Sequence, residues 1–246
     1  MLLAALYLLI VGAMFLFQRS LLYYPVPHQA GIAREAVSFK NDGLTLHGWV
    51  LNQGKSKALI YFGGNAEAIQ NNIVDFESMF KNHTVYLIHY RGYGKSEGNP
   101  TETGLFSDAL AIYDVLAPQY QAISIMGRSL GSGVAVYLAS KRQTEKLILL
   151  TPYDSIAEVA QHHYPFLPAR YVARDRFESF RYAAEITAPV LMVTAEMDRV
   201  VPKEHALKLR EYFKATEVEY HMIHSATHND VTGYPVYQNL VSEFMD

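Results

Sequence analysis

The sequence predicts an α/β fold built on a mostly parallel, doubly wound sheet, and three features of the chain predict it. Short runs of Val, Ile and Leu recur from about residue 34 onward, as is typical of parallel strands buried on both faces. Segments with helical periodicity separate most of these runs. Two strand-like segments flank Asn41-Asp42-Gly43, which indicates a hairpin. A hairpin followed by β-α repeats predicts one sheet with an antiparallel start.

Eight strands are predicted, each from its own apolar run. The hairpin strands are 36–39 and 44–51, and the six later strands are 57–62, 85–89, 122–126, 146–150, 190–193 and 218–223. Helical periodicity predicts helices over 67–80, 102–116, 130–141 and 203–213, and a last helix through Val236, Leu240 and Phe244. The stretch from about 156 to 188 has no clear strand pattern, so we expect a small cap inserted between two strands.

Composition excludes several classes of protein. Half of the 246 residues are hydrophobic and 18 % are charged, so the chain can bury a large core and is not disordered. The formal net charge of −3 provides no basic field for nucleic acid. The sequence has no Cys, which excludes disulfides, zinc–thiolate sites and cysteine nucleophiles. We expect no cofactor and no metal.

The amino terminus predicts a membrane helix ahead of the folded domain. Met1 to Phe17 contain no Asp, Glu, Lys, Arg or His and would span about 26 Å as a helix. A basic n-region and a small-x-small cleavage site are missing, which favours a single-pass anchor in the lipid bilayer over residues 1–22, followed by a folded domain over 23–246. A cleaved signal peptide and a buried helix of a soluble domain are the alternatives. Arg19 and later basic residues weakly favour a cytoplasmic domain.

A nucleophile elbow is predicted at Gly127-Arg128-Ser129-Leu130-Gly131. This G-x-S-x-G pattern follows a predicted strand and opens a predicted helix, which is the context that the motif requires. The tight turn would push the Ser129 hydroxyl out at the carboxyl edge of the sheet. A serine hydroxyl is a weak nucleophile, so it needs a base, and the base needs an orienting acid.

His228 is the predicted base, because it lies in a loop between the last strand and the last helix. His221 and His224 lie in or beside that strand and are more typical of packed or surface residues. Asp198 is the predicted acid, since it follows a strand end and precedes His228 in the chain order of this architecture. Glu196 is a less favoured substitute.

Asp154 is the main rival of Asp198 as the acid, because it follows the preceding strand. It has a simpler interpretation, however. Asp154 or Ser155 can cap the next helix, with Ser155 and Glu158 in capping-box spacing.

Acyl transfer also needs two donors for the developing oxyanion. One is the backbone N–H of Leu130, directly after the nucleophile. The other is expected from the loop Phe62-Gly63-Gly64-Asn65-Ala66, which follows a central strand.

Taken together, the motifs of the sequence resemble those of the α/β-hydrolase superfamily. The motifs YFGGNAE, YRGYGKSEG, GRSLG, TPYDSIAEVAQHHYPFLP, EMDRVVP and HSATHND are most similar to its ABHD-type, bud-emergence-related group. Members of that group begin with a short membrane anchor. The resemblance implies an α/β-hydrolase fold with a small cap, Ser129, Asp198 and His228 as the triad, and Asn65 with Leu130 as the oxyanion amides. Gly63-Gly64 stands where the family usually has His-Gly, so Gly64 remains an alternative to Asn65.

The sequence therefore predicts a membrane-anchored serine hydrolase that cleaves esters or thioesters of hydrophobic acyl substrates through an acyl-enzyme. The alternatives are an amidase or peptidase of the prolyl-peptidase type and a catalytically silent scaffold tethered at the membrane. The loop 90–98 is expected to be structural because of its glycines, with a wall of the acyl pocket as its alternative role. Residues 1–20 contain no predicted catalytic group, so we expect the anchor to set location rather than chemistry.

Overall fold

An eight-stranded sheet forms the centre of the computed structural model, which describes residues 1–29 and 31–246. Its strands are β1 (Glu35–Asn41), β2 (Leu44–Leu51), β3 (Lys57–Phe62), β4 (His83–Ile88), β5 (Ala122–Arg128), β6 (Leu147–Leu150), β7 (Val190–Ala195) and β8 (Val218–Ile223). They lie in the order β1-β2-β4-β3-β5-β6-β7-β8. The β1–β2 and β2–β4 pairs are antiparallel and the remaining pairs are parallel. The predicted fold class is confirmed.

The hairpin at the start of the sheet forms as the sequence predicts. Asn41 pairs with Leu44, so Asp42 and Gly43 alone make the turn. Both have positive φ, 51° and 74°, as a two-residue type I′ turn requires. The Asp-Gly pair tolerates this geometry, because aspartate and glycine enter the left-handed region more readily than other residues.

Eight α-helices complete the described part of the chain. They are α1 (Leu2–Leu22), α2 (Ile73–Met79), α3 (Glu102–Leu116), α4 (Leu130–Lys141), α5 (Ile156–His163), α6 (Ala169–Val172), α7 (Lys203–Arg210) and α8 (Pro235–Met245). The predicted helix over 67–80 begins as a 3₁₀ turn, Ile69–Asn72, before α2. Alternate residues of β3 enter different cores: Ile60 packs on the side of α3 and α4, and Leu59 on the side of α2 and α8. Both faces of the sheet are therefore covered.

The segment predicted as a cap contains helices and no strand. Over 156–188 it comprises α5, α6 and two 3₁₀ turns, Ser179–Arg181 and Ala183–Glu185. Ser155 is the N-cap of α5, and its hydroxyl accepts a hydrogen bond from the N–H of Ala157 at 3.1 Å.

The amino-terminal helix α1 lies on the surface of the fold rather than in its core. None of its 21 residues is buried, and its most apolar window has a mean hydropathy of 1.9. It is long and apolar enough to cross a bilayer, a property that it shares with signal sequences. The division into an anchor over 1–22 and a catalytic domain over 23–246 stays a prediction.

Candidate active site

Ser129 lies at a strained turn between β5 and α4. Its φ is +48° and its ψ is −117°, a conformation that a residue with a Cβ adopts only under constraint. The flanking glycines allow the turn to close. A Cβ at Gly127 would lie 2.3 Å from the carbonyl oxygen of Gly131, and one at Gly131 would lie 2.1 Å from that of Phe62. The turn presents the serine side chain at the carboxyl edge of the sheet, as the G-x-S-x-G pattern predicts.

Ser129, His228 and Asp198 lie in one hydrogen-bonded line. The His228 Nε2 lies 2.9 Å from the Ser129 Oγ, and the His228 Nδ1 lies 2.7 Å from Asp198 Oδ2. The other carboxylate oxygen of Asp198 accepts the N–H groups of Val200 and Val201 at 2.9 and 2.8 Å. The side chains of His228 and Asp198 are only 9 % and 2 % exposed. A fixed, dry carboxylate thus orients the imidazole toward the serine.

The rival histidines bind other partners at the surface. His221 Nε2 lies 2.7 Å from Glu219 Oε1. The side chain of His224 is 77 % exposed and pairs with Glu196 at 3.4 Å. The less favoured acid, Glu196, therefore faces His224 rather than His228.

Asp154 belongs to a different buried cluster. Its Oδ1 lies 2.7 Å from His205 Nδ1, and its Oδ2 lies 2.9 Å from Lys208 Nζ. Burial alone would raise the pKa of this carboxyl, but its hydrogen bonds to His205 and Lys208 outweigh burial and hold it below its usual value. Asp154 therefore ties α7 to the end of β6, while Ser155 caps α5 as expected.

The loop after β3 supplies a free amide beside the serine. The N–H of Gly64 donates to the carboxylate of Glu67 and is therefore occupied. The N–H of Asn65 donates to no acceptor within residues 1–29 and 31–246. Leu130 is the first residue of α4, so no preceding turn accepts its N–H. Of the two candidates for the second oxyanion amide, the geometry favours Asn65 over Gly64.

A buried ion pair, which the sequence reasoning missed, links the loops of the site. Arg128 Nη1 lies 3.2 Å from Glu67 Oε1, with both side chains under 15 % exposed. Arg128 also donates to the carbonyl oxygens of His228 and Asn229, each at 3.3 Å. The Tyr61 hydroxyl donates to Glu67 at 2.9 Å, and burial raises the pKa of this phenol well above its usual value. Opposite charges at the last residue of β5 and in the loop after its neighbour β3 were the available signal.

The glycine-rich loop 90–98 contacts the loop that follows β3. The Tyr90 hydroxyl donates to the carbonyl of Gly63 at 2.6 Å, and the Tyr93 hydroxyl donates to Asn65 Oδ1 at 2.8 Å. Arg91 pairs with Asp108. In the described part of the chain, no residue of this loop lines the cavity at the serine. The contacts therefore favour the structural role expected from its glycines.

A cavity of about 430 Å³ opens at Ser129. Asn65 and Leu130, the two residues with free amides, also line it beside the serine. Its remaining walls are mostly apolar and come mainly from the cap and from α1, with Tyr24, Val200 and Val201 beside them. The volume lies within the roughly 300–1,000 Å³ that is usual for small-molecule sites. The arrangement places a hydroxyl, an imidazole, a carboxylate and two residues with free amides at the mouth of an apolar chamber.

Comparison with protein families identifies the class. Residues 76–232 match the family model described as an alpha/beta hydrolase domain. The match covers more than half of the chain, which therefore belongs to the α/β-hydrolase family.

Three curated relatives are similar to this chain, and the names of two of them, bem46 and ABHD12, belong to the predicted ABHD-type group. An uncharacterised protein of Mycobacterium tuberculosis is 34 % identical over 232 residues, which are 87 % of this chain and 81 % of the relative. Protein bem46 of Schizosaccharomyces pombe is 26 % identical over 266 residues, covering 97 % of this chain and 89 % of the relative. Lysophosphatidylserine lipase ABHD12 of Danio rerio is 33 % identical over 190 residues, covering 65 % of this chain and 50 % of the relative. The predicted resemblance is confirmed.

The fold also matches solved structures. The esterase Pf2001 of Pyrococcus furiosus superposes with a TM-score of 0.72 at 19 % identity, covering 90 % of this chain and 98 % of the esterase. At this identity the likeness concerns the fold alone.

Proposed function

We propose that this hydrolase is a serine hydrolase that cleaves carboxylic ester or thioester bonds of hydrophobic acyl substrates. The observation that carries the proposal is the hydrogen-bonded line from Ser129 through His228 to Asp198 at the mouth of an apolar cavity. In this proposal Ser129 is the nucleophile, His228 the general base and Asp198 the acid that orients it.

The reaction has two acyl-transfer steps. The Ser129 Oγ attacks the acyl carbon while His228 Nε2 takes its proton, and the carbonyl oxygen becomes an oxyanion held by the N–H groups of Asn65 and Leu130. The carbon–oxygen or carbon–sulfur bond then breaks, and His228 returns the proton to the leaving group. Water, deprotonated by His228, attacks the acyl-enzyme in the second step, which releases the acid and restores Ser129.

The cavity favours an acyl chain over an amino-terminal peptide. Asp175 is the one carboxylate among the described residues that line it, and Arg19 already pairs with Asp175 at 2.8 Å. No free acid is therefore available there to bind a substrate amine, which counts against the amidase or peptidase alternative. The name of the relative ABHD12, a lysophosphatidylserine lipase, supports lipid acyl esters as the substrate class.

Membrane attachment through residues 1–22 is part of the same proposal. Helix α1 has the length and apolar composition of a single-pass anchor, and its exposed side chains are better placed in lipid than in water. A tethered domain would meet its acyl substrates at the bilayer. The first basic residue after the apolar run, Arg19, weakly favours a cytoplasmic domain.

Labelling with a fluorophosphonate probe tests the proposal against a silent scaffold. The full-length protein in detergent should be modified at Ser129, as mapped by peptide mass spectrometry, and should hydrolyse p-nitrophenyl esters. Ser129→Ala should lose both, with a rate loss on the order of 10⁴–10⁶. Ser140→Ala is the matched control, because within residues 1–29 and 31–246 this α4 hydroxyl bonds only the Tyr137 carbonyl. An unlabelled wild-type protein with no esterase activity would reject the proposal.

A further inference from the structure

One face of α1 forms part of the cavity in front of the serine. The spacing of its lining residues follows the helical repeat, so they share a single stripe. These residues are Val11, Met14, Phe15, Gln18, Leu21 and Leu22. Cap residues such as Val159 and Leu167 line the same cavity. The stripe begins near Asn65 and Ser129 and leads away from them toward the amino terminus.

Polar contacts hold this half of α1 on the segment that follows α6. Gln18 Oε1 accepts the N–H of Arg174 at 2.6 Å. Arg19 donates twice to Asp175, at 2.8 and 3.2 Å, and the Asp175 side chain is only 5 % exposed. The guanidinium of Arg174 stacks over the Phe15 ring at 4.2 Å from its centroid. Helix α1 is therefore seated on the cap by directional contacts as well as by apolar packing.

We propose that residues 11–22 of α1 are a wall of the acyl-binding site, and that this wall selects esters with one long acyl chain. This inference rests on the proposed serine-hydrolase function. With residues 11–22 on the cap, only residues 1–10, about 15 Å of helix, would remain for the lipid, so α1 would enter one leaflet and also shape specificity.

The dimensions indicate the chain length. From Val11 to Leu22 the stripe runs about 17 Å at 1.5 Å per residue. An extended alkyl chain advances about 1.25 Å per carbon, given single bonds of about 1.5 Å and angles near 111°. The stripe therefore matches a chain of roughly a dozen carbons.

The far end of the stripe continues into surface suited to lipid. The Tyr7 hydroxyl donates to the carbonyl of Phe166 at 2.9 Å, so the cap accompanies α1 beyond the cavity. Phe166 and Tyr171 are 86 % and 78 % exposed, and Leu8 and Leu9 are similarly exposed on α1. Because helix and cap are both apolar here, an acyl chain could pass from the bilayer into the cavity without crossing water.

Substitutions at Met14 test the wall in two directions. Met14 lines the cavity, whereas Leu16, on the opposite side of α1, is 69 % exposed. Using full-length protein in detergent, kcat/KM is measured on p-nitrophenyl butyrate, laurate and palmitate. Met14→Trp should lower the laurate-to-butyrate ratio about tenfold or more, because a bulky ring excludes several methylenes. Met14→Ala should raise the palmitate-to-laurate ratio, and Leu16→Trp should leave both ratios as in the wild type.

The outcomes separate the two proposals. If wild type hydrolyses esters and both Met14 variants keep its chain-length ratios, α1 is not the wall, although the serine-hydrolase function stands. If Met14→Trp misfolds and loses fluorophosphonate labelling, the palmitate-to-laurate ratio of Met14→Ala alone tests whether α1 is the wall. A wild-type protein that neither hydrolyses esters nor labels at Ser129 would overturn the proposed function, and the inference with it.

Discussion

The side-chain amide of Asn65 donates a hydrogen bond to the carbonyl of Leu22, the last residue of α1. Its oxygen accepts the N–H of Tyr24 at 2.9 Å and the hydroxyl of Tyr93 at 2.8 Å. Asn65, which lines the cavity, thus holds the chain where it leaves the helix. Helix α1 and the loop after β3 are therefore coupled through one side chain.

Replacing Asn65 by Ala should therefore impair catalysis although the backbone N–H remains. The loop would lose three hydrogen bonds, and a misplaced donor weakens oxyanion stabilisation. Full removal of such a donor costs about 10²–10³ in kcat, so partial displacement should cost about tenfold. Kinetics on p-nitrophenyl butyrate in detergent would measure it. Asn71→Ala, at an exposed position shortly after the same loop, is the control. A kcat equal to that of the control would show that the side chain does not position the amide.

Asp198→Asn and Asp154→Asn should have opposite patterns of damage. The carboxylate of Asp198 orients His228, and an amide can impose the wrong tautomer, so the rate should fall by about 10⁴ with little loss of stability. The carboxylate of Asp154 binds His205 and Lys208 away from the serine, so its loss should cost about 1–3 kcal/mol of stability and leave most activity. Esterase rate and melting temperature, measured on both variants, check this. An active Asp198→Asn beside an inactive Asp154→Asn would reverse the assignment of the acid.

The sequence predicted the sheet well because each strand is a short apolar run with its own turn signals. It also predicted Ser129, Asp198 and His228, since all three follow strand ends, and the carboxyl ends of parallel strands meet at one edge of a sheet. The geometry brings these residues together, and their catalytic roles stay predictions.

Other features depend on packing that periodicity does not encode. Helix α1 has the composition of a lipid-facing segment all round, so nothing in its pattern distinguishes the stripe at the cavity from the outer face. The pairing of Arg128 with Glu67 joins residues 61 positions apart, and it becomes visible only when β3 and β5 are neighbours. The occupied N–H of Gly64 likewise required the position of the Glu67 side chain.

Glu67→Gln should lower both activity and stability. The carboxylate neutralises buried Arg128 and fixes the Gly64 amide beside the oxyanion loop. Removing one partner of a buried pair leaves an uncompensated charge, which costs about 3 kcal/mol, and the loosened loops should reduce kcat about tenfold. The exposed pair of Arg142 and Asp114 offers a control, because Asp114→Asn should change stability by less than about 1 kcal/mol and leave kcat unchanged. Urea titration and esterase kinetics measure the two effects. Equal behaviour of the two variants would contradict a role for the buried pair.

His89 should make the folded state less stable in acid. Burial lowers its pKa from 6.5 to about 4, and neighbouring His28 and His47 add to the shift. Its ring is packed edge-to-face on Trp49, and its Nε2 has no partner among residues 1–29 and 31–246. Between about pH 6.5 and pH 4 the unfolded chain binds a proton here that the folded chain does not. The free energy of unfolding should therefore fall as the pH falls through this window, by roughly 3 kcal/mol in all, and the slope from this residue should end below pH 4.

His89→Phe isolates this contribution, because phenylalanine fills similar space and does not titrate. Its free energy of unfolding, from urea titrations in one detergent between about pH 4 and pH 7, should show a flatter acid limb than the wild type. His224→Gln changes a histidine that is 77 % exposed and should keep the wild-type slope. The two variants differ in whether the lost imidazole is buried or exposed. If the free energy of unfolding falls with the same slope in acid in the wild type and in both variants, His89 is not held neutral in the folded state. If the slope of the free energy of unfolding against pH decreases only in His89→Phe, this part of the acid sensitivity belongs to His89, the residue that follows β4.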